Sequence, residues 1–507
     1  MEEERPQYRR TIYFDGSCPM CSSLVRRIAA SKEGQQFDCV DSTSAPLPEG
    51  LSREAVDKEI HVVDEWGKFD KSSDGIWKIA EVYPRLRWIA RLGMLPGIRQ
   101  VSRFGYAVVA HYRHLVFGPQ ARFFWLKVVL VLALLSGLLL SPHLWLTTRS
   151  YPLVPVAGFI PALPSPVDII LYGILLLLLL SILVSRYPRY LIAAFVGIAV
   201  IEVFSDQSRL QPWFYQYLFM MFALIWHDWK KNTPAESKTM LTLYRFVLAS
   251  IYFWSGFQKL NLTFLNDTFP WFIEPITNHL PDEMRFLTTS FAIIVPLLEL
   301  RIGVGLLTRS FRRSSMVLAI LSHLFILACI GPFGHNWNSV VWPWNIAMIL
   351  FVVILYSGYT GDSIASFLPF RKSILYPLAF ILFGITPALS FFDLWDSYLS
   401  SSLYSENTGR AVMILSDSLK NRLPPDVRQY VTKDQTNKNV LEIFPWSIAE
   451  LNVPPYPEER IYRSIASRFL PLVQKPNDLV LVLQEKPKPF SETRMVKRLN
   501  ATKLKGS

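Results

Sequence analysis

LKVVLVLALLSGLLL, residues 126–140, is longer and more uniformly apolar than a helix in a water-soluble core needs to be, and it does not stand alone. It belongs to a run at about 123–141, and comparable runs lie at about 167–185, 190–206, 213–229, 240–259, 287–307, 314–331, 339–358 and 374–392. Each approaches the ~17–25 residues with which a helix crosses hydrocarbon. Lipid offers no hydrogen bonds to the backbone, so such runs commit a chain to helices that satisfy their own peptide groups. The expectation is about nine transmembrane helices. With 51% hydrophobic residues and a mean hydropathy of +0.25, the chain reads as a polytopic membrane protein.

The loops carry a second signal. Segments with Arg186 and Arg189, then Lys230, Lys231 and Lys238, then Arg309, Arg312 and Arg313, then Arg371 and Lys372 alternate with segments nearly free of basic charge. Lys and Arg are retained on the cytoplasmic side. An odd number of spans then predicts a cytoplasmic N-terminal domain and an extracytoplasmic C-terminal one in a plasma (inner) membrane; the short runs in 186–213 could instead form a re-entrant pair. No charged-then-apolar leader opens the sequence. The net charge of +12 is spread along these loops and forms no single stripe, which argues against a nucleic-acid partner. Three parts follow: 10–118, a small soluble domain; 119–392, the polytopic membrane domain; and 393–507, a soluble extracytoplasmic domain.

Within the first part, RTIYF reads as a strand, SSLVRRIAAS as a helix, FDCVD as a strand, IHVVDEWGKFDKS as a hairpin turning at Trp66-Gly67, and GIWKIAEVYPRL as a closing helix. CPMC sits at the first strand-to-helix junction. A thiol at a helix N-terminus faces unsatisfied N–H groups and the positive end of the dipole, both of which favour thiolate, so Cys18 is the expected nucleophile. Cys21, one turn later, is placed to resolve a mixed disulfide. Pro19 suits the first helical turn, and Asp15 could either accept a proton or raise the thiol pKa. A lone C-x-x-C also fits half a metal site or chance, but metal needs further ligands, and only Cys39, His61 and the more distant His111 and His114 are offered. Four cysteines in 507 residues are too few for a disulfide scaffold. Cys39, in a strand, reads as a structural thiol.

YFDGSCPMC, DEWGKFDKSSDGIWKI and GMLPGIRQVSRFGYAVVAHYRHL together resemble the DCC thiol-disulfide oxidoreductase family, whose signature is D-x-x-C-x-x-C near the N-terminus. The resemblance covers roughly residues 10–118 and implies a thioredoxin-like α/β fold, with Asp15, Cys18 and Cys21 as motif positions. No proline precedes HVVDE, so the cis-proline that thioredoxins place opposite the redox pair is not identifiable in this sequence.

In the membrane part, ionisable residues are expensive and carry a functional hypothesis. Arg245, Lys259 and Arg301 lie near span ends, where snorkelling to the interface is the favoured reading. Glu299 and His323 fall near the middle of consecutive runs, where they could pair, relay a proton or ligate a cofactor, or merely fix helix register. YRFVLASIYFWSGFQKL, LLELRIGVGLLTRSFRR and SHLFILACIGPFGHNW resemble the DoxX-like membrane family over about 240–358, and more distantly the membrane module of vitamin-K-dependent carboxylase. Both resemblances imply a quinone-type partner, and no cofactor follows from the residues themselves. GPFGHNWNSVVWPWN gathers Trp337, Trp342 and Trp344 with Asn336, Asn338 and Asn345, an aromatic belt or the mouth of a polar pocket.

The last part regains soluble composition, with GRAVMIL, NVLEIF and DLVLVLQE as strands and LKNRLPPDVRQYV and PEERIYRSIASRFL as helices, a small α+β domain without cysteine. The leading expectation is therefore a membrane-anchored thiol-disulfide oxidoreductase acting on protein or small-molecule disulfides. The alternative is a membrane transferase, carboxylase-like enzyme or transporter centred on Glu299 and His323, with the thiol domain as redox sensor.

Overall fold

The computed structural model describes residues 9–117, 121–160, 163–229, 234–281, 290–359, 373–487 and 493–505. It divides into two compact units, Met1–Trp125 and Leu126–Ser507.

In the first unit, β1 (Arg10–Phe14) leads into α1 (Pro19–Ala29), β2 (Phe37–Asp41), α2 (Arg53–Lys58), β3 (His61–Val63), β4 (Phe69–Lys71), α3 (Ser72–Val82), α4 (Arg87–Gly93) and α5 (Ile98–Phe117). The sheet runs β2-β1-β3-β4, with β1 and β2 parallel and the other pairs antiparallel. A parallel pair joined through a helix, followed by an antiparallel hairpin, is consistent with the thioredoxin-like expectation. Ile12, Val25, Ile28, Phe37, Ile60, Val62 and Ile79 make the core. On α1, Cys21, Val25 and Ile28 recur every three or four residues and face inward, while Arg26 and Arg27 stay outside in the last turn, where the helix dipole favours cations.

The hairpin turns where the sequence predicts: Asp64 Oδ1 accepts the N–H groups of Trp66 (3.0 Å) and Lys68 (2.8 Å), and Gly67 takes a left-handed φ of +79°. Helix α2 is absent from the sequence reading because its six residues bury one apolar side chain, Val56; Ser52 caps it by accepting from Ala55 N–H. Helix α5 is tied to α3 through Asp74, a buried carboxylate that accepts from both Arg99 and Arg103. The bonds from Arg99, foremost, and from Arg103 outweigh burial and lower its pKa to about 2.

In the second unit, helices occupy all nine apolar regions, but four are long and apolar enough to cross a membrane: Ala121–Leu140, which begins at the end of the first unit, Val167–Val184, Arg312–Ile330 and Leu375–Phe392. The expectation of nine is corrected to four among the described residues. Length is the main reason. Pro212–Leu224 has 13 residues, Ile294–Leu307 has 14 and Val341–Tyr356 has 16, all below the ~17–25 residues with which a helix crosses hydrocarbon, and Arg189–Ser205, with 17, sits at the lower edge of that range. Arg189–Ser205 ends in buried charge, with Glu202 paired to Arg209 and Asp206 to Arg149. Pro234–Gln258 has the length but carries Arg245 in its middle. Of the basic loop residues, Lys230, Lys231, Arg371 and Lys372 lie outside the described residues.

The C-terminal portion forms a wholly antiparallel sheet ordered β6-β7-β5-β8-β9, with β5 (Arg410–Leu415), β6 (Val431–Lys433), β7 (Asn439–Glu442), β8 (Leu479–Gln484) and β9 (Val496–Asn500). Three strands match the expectation. NVLEIF, read as one strand, ends at Glu442 and continues as the helix Ile443–Leu451; LKNRLPPDVRQYV is broken at Leu423–Pro424 into two short helices, since proline cannot continue the first. This sheet is anchored to the helical part: Trp446 packs on Tyr151 at 4.9 Å, Glu450 accepts from Ser150, and Asn452 Nδ2 donates to Leu140 O (2.9 Å) and Ser339 Oγ (2.7 Å).

Candidate functional site

The thiol pair stands on a loop that both parallel strands help to shape. After β1, Asp15 Oδ1 accepts from Ser17 N–H (2.9 Å) and Ser17 Oγ (2.6 Å), and Cys18 N–H donates to Asp15 O (3.2 Å). From the end of β2, Asp41 Oδ1 accepts from Gly16 N–H (3.1 Å) and from the N–H and Oγ of Thr43. A Cβ on Gly16 would lie 1.9 Å from the Asp41 carboxylate, so only glycine lets the loop pass so close. Burial opposes ionisation of Asp41, but the bonds from Thr43 and Gly16 win, and its pKa is held below the ordinary carboxylate value.

Cys18 is the N-cap of α1, with extended backbone (φ −85°, ψ 112°), and its carbonyl accepts the first helical bond from Ser22 N–H (3.0 Å). Ser22 Oγ in turn donates to Gly16 O (3.0 Å), locking the helix start to the loop. Cys21 lies in the first turn. Both thiols are buried, Cys18 completely. The part of Asp15 that the structure shows most plainly is architectural: its Oδ1 holds the turn that presents Cys18.

Cys39 pairs with Ile12 across β1 and β2 and packs on the core; burial, then the neighbouring Asp38, raise its pKa, as suits a structural thiol. His61 is buried, its Nδ1 bonded to Glu59 O (2.9 Å), and burial lowers its pKa. The side chains of His111 and His114 lie outside the described residues. The residue before HVVDE is Ile60, whose N–H donates to the Tyr106 hydroxyl (2.8 Å).

The second unit holds a separate polar cluster on the wall of a cavity of about 440 Å³. Among the membrane residues singled out from sequence, Lys259, Glu299, His323 and Asn345 reach it. Glu299 and His323 do not bond to each other. Lys259 Nζ donates to Glu299 Oε2 (2.8 Å) and to Ser255 Oγ (2.5 Å), so Lys259 is a buried ion-pair partner and does not snorkel. His323 Nδ1 meets Asn345 Oδ1 (2.7 Å), and Nε2 meets the Tyr252 hydroxyl (2.7 Å). Asn345 Nδ2 donates to Val341 O (2.8 Å), which turns its oxygen toward the histidine. An acceptor oxygen at Nδ1 suits the tautomer that carries its proton there and leaves Nε2 to accept from Tyr252.

Arg245 is buried but is not part of the cavity wall; its Nε donates to Leu355 O (2.7 Å) and its guanidinium stacks 3.7 Å from the Tyr359 ring centre, in place of the expected snorkelling. Arg301 is exposed and reaches Ser314 and Ser315. Of the Trp/Asn group, Trp344 and Asn345 line the cavity, with Trp344 Nε1 donating to Gln216 Oε1 (2.9 Å), while Asn336 and Asn338 take left-handed turn positions.

Glycines bring the cluster together. A Cβ on Gly256 would meet Pro296 O at 2.6 Å, and one on Gly303 would meet Phe253 N at 2.7 Å. The helices Pro234–Gln258 and Ile294–Leu307 thus cross with backbones nearly touching, which places Lys259 beside Glu299. Tyr252 and Ser255 escaped the sequence reading, although Tyr252, Ser255 and Lys259 at i, i+3 and i+7 share one helical face. Tyr398, Leu403 and Tyr404 also line a second cavity of about 800 Å³, walled by Trp271, Trp337, Glu406, Arg410 and Phe444.

No curated protein and no solved structure matches the chain. Residues 12–119 match the family described as DCC1-like thiol-disulfide oxidoreductase, and this part of the chain, which contains Cys18 and Cys21, is an oxidoreductase domain acting on thiols and disulfides.

Proposed function

We propose that the protein is a membrane-anchored thiol-disulfide oxidoreductase in which Cys18 attacks and Cys21 resolves. The observation that carries this reading is the placement of Cys18 at the N-cap of α1, with Cys21 in the first turn of the same helix. The Cys18 thiolate attacks one sulfur of a substrate disulfide, forming a mixed disulfide and expelling the other sulfur as a thiolate that takes up a proton. Cys21, deprotonated, then attacks Cys18 Sγ, releasing the second substrate thiol and leaving a Cys18–Cys21 disulfide. The substrate is reduced by two electrons and the pair is oxidised by two. Because Cys18 is fully covered, the first step requires its cover to move aside, which favours substrates able to wedge the loop open. The basic loops support a membrane protein with this domain on the cytoplasmic side, and four spans among the described residues, an even number, return the C-terminal sheet to that same side in place of the outer side expected from an odd number.

The test is a pair of single substitutions. Cys21→Ser should accumulate a mixed disulfide on Cys18, seen as a mass increment on the peptide spanning residues 14–28, and Cys18→Ser should form none. A Cys21→Ser protein that stays unmodified in the presence of an accepted disulfide would sink the mechanism.

A second reading rests on the cavity cluster. An apolar chamber lined by a Lys–Glu pair and a Tyr–His–Asn chain suits a lipid-soluble quinone-type molecule, whose carbonyl oxygens need donors and whose reduction needs protons. Oxidising two thiols to a disulfide would deliver two electrons and two protons to such a carrier, giving the quinol. Extraction of a stoichiometric quinone from purified protein supports this reading. Full thiol-disulfide turnover of a quinone-free Glu299→Gln protein with a membrane quinone as acceptor would remove it.

A further inference from the structure

Between Pro84 and Phe117 the chain carries six arginines and no acidic residue. Helices α4 and α5 fall in this stretch, and both turn apolar side chains away from their own unit. On α4, Ala90 and Gly93 face inward, Gly93 against the Trp77 ring, while Trp88, Ile89 and Leu92 occupy the opposite side, Trp88 at 63% exposure. On α5, Ser102 bonds Ser73 and Trp77, Tyr106 bonds Ile60, and Arg99 and Arg103 bond Asp74, so these four residues define the inner face. Ile98, Val101 and Phe104 lie on the other, with Val101 72% and Phe104 73% exposed. At 100° per residue the two sets occupy separate arcs of the helix.

An exposed apolar arc would ordinarily be covered. The charge argues for what covers it. Arg85, Arg87 and Arg91 are exposed beside the apolar residues of α4, and no carboxylate in the stretch offsets them. A second copy docking here would bring arginines against arginines, and water alone leaves Phe104 and Val101 hydrated. An anionic lipid surface answers both demands, since it accepts apolar side chains to a depth of about 5–10 Å and attracts each nearby arginine by about 1 kcal/mol. Covalent continuity points the same way. Three residues separate α5 from Ala121–Leu140, a helix long and apolar enough to span, so the end of α5 lies within about 15 Å of the start of that helix.

We propose that α4 and α5 form an in-plane docking face that rests on an anionic bilayer surface, with Trp88, Leu92, Val101 and Phe104 sunk among the acyl chains and the arginines among the headgroups. The face lies outside the thiol pair and would hold the domain at the membrane whether or not Cys18 and Cys21 turn over.

The experiment uses the full-length protein in phosphatidylserine-containing vesicles, its four native cysteines replaced and a nitroxide placed at Phe104→Cys, with Trp66→Cys, on the exposed β3–β4 turn, as the control. The label at 104 should collide with oxygen severalfold more, relative to a water-soluble nickel chelate, than the label at 66, and Val101→Cys should behave like 104. A label at 104 as open to the nickel chelate as the control overturns the proposal. A label shielded from both reagents also overturns it, because it would show a protein or a second copy covering the face.

Discussion

The thiol loop and the cavity cluster are both small polar assemblies, but they are put together in different ways. The loop draws its shape largely from Asp15 to Ser22, with Asp41 as a distant support, and its working geometry is that of a helix beginning: an N-cap, a first turn and the hydrogen bonds that stop a strand and start a helix. The cluster draws single residues from separate helices, Tyr252 and Lys259 near one another, then Glu299, His323 and Asn345. No local rule positions these groups. They meet because Gly256 and Gly303 let two backbones approach and because His323 is held between two side chains from different helices. A site built locally survives changes elsewhere in the chain, whereas a site built by packing shares the fate of the packing.

This contrast gives ordered expectations. Cys18→Ser should abolish reduction of a small disulfide, measured by thiol release, while leaving thermal unfolding nearly unchanged; a large loss of stability would show that the thiol is structural. Glu299→Leu should behave the opposite way, leaving reduction of that small disulfide intact but destabilising the second unit by about 3–5 kcal/mol, because it strands the Lys259 charge. Adding Lys259→Met should restore most of that loss in detergent unfolding curves, and failure to do so would mean the pair is not the source. Gly256→Ala is expected to cost about 1–3 kcal/mol by overpacking at the Pro296 carbonyl, with no effect on Cys18 alkylation rate.

The smallest expected effect is pH-dependent and confined to the first unit. Asp74, near 3.9 when unfolded, is lowered to about 2 when folded, so the ionised form bound to Arg99 and Arg103 stabilises the fold above about pH 4. That contribution fades as pH falls from about 4 to about 2. Asp74→Asn should flatten this part of the pH–stability curve and lower stability at neutral pH by about 1–2 kcal/mol. An unchanged acid limb would remove the clamp from the account of how α5 is held.

Much of the thiol domain was legible from residues alone because its signals are short-range. Period-two strands, the C-x-x-C junction and the Trp66-Gly67 turn each state their own geometry. The C-terminal hairpin shows how narrow the margin is. Asp434 accepts from Thr436 and Lys438 just as Asp64 accepts from Trp66 and Lys68, with Asn437 in the left-handed position that Gly67 takes, yet TKDQTNKN gave no glycine to mark it. The span count failed for a related reason. Apolar runs report that a segment avoids water, and Pro212–Leu224 does so by burial inside protein, at 13 residues, without the length to cross lipid.

By itself the sequence determined the local objects: a thiol at a helix start, a strand order compatible with a thioredoxin-like sheet, apolar helices, and the polar residues that are costly to hide in them. Only the tertiary structure decided which of those polar residues meet, that Lys259 turns inward to Glu299 and Arg245 elsewhere, that Cys18 is covered, and that Val101 and Phe104 are not. The physical reason is range. Backbone dihedrals, caps and turns are settled within a few residues, whereas ion pairing, burial and exposure depend on which distant surfaces come to lie within a few ångströms of each other.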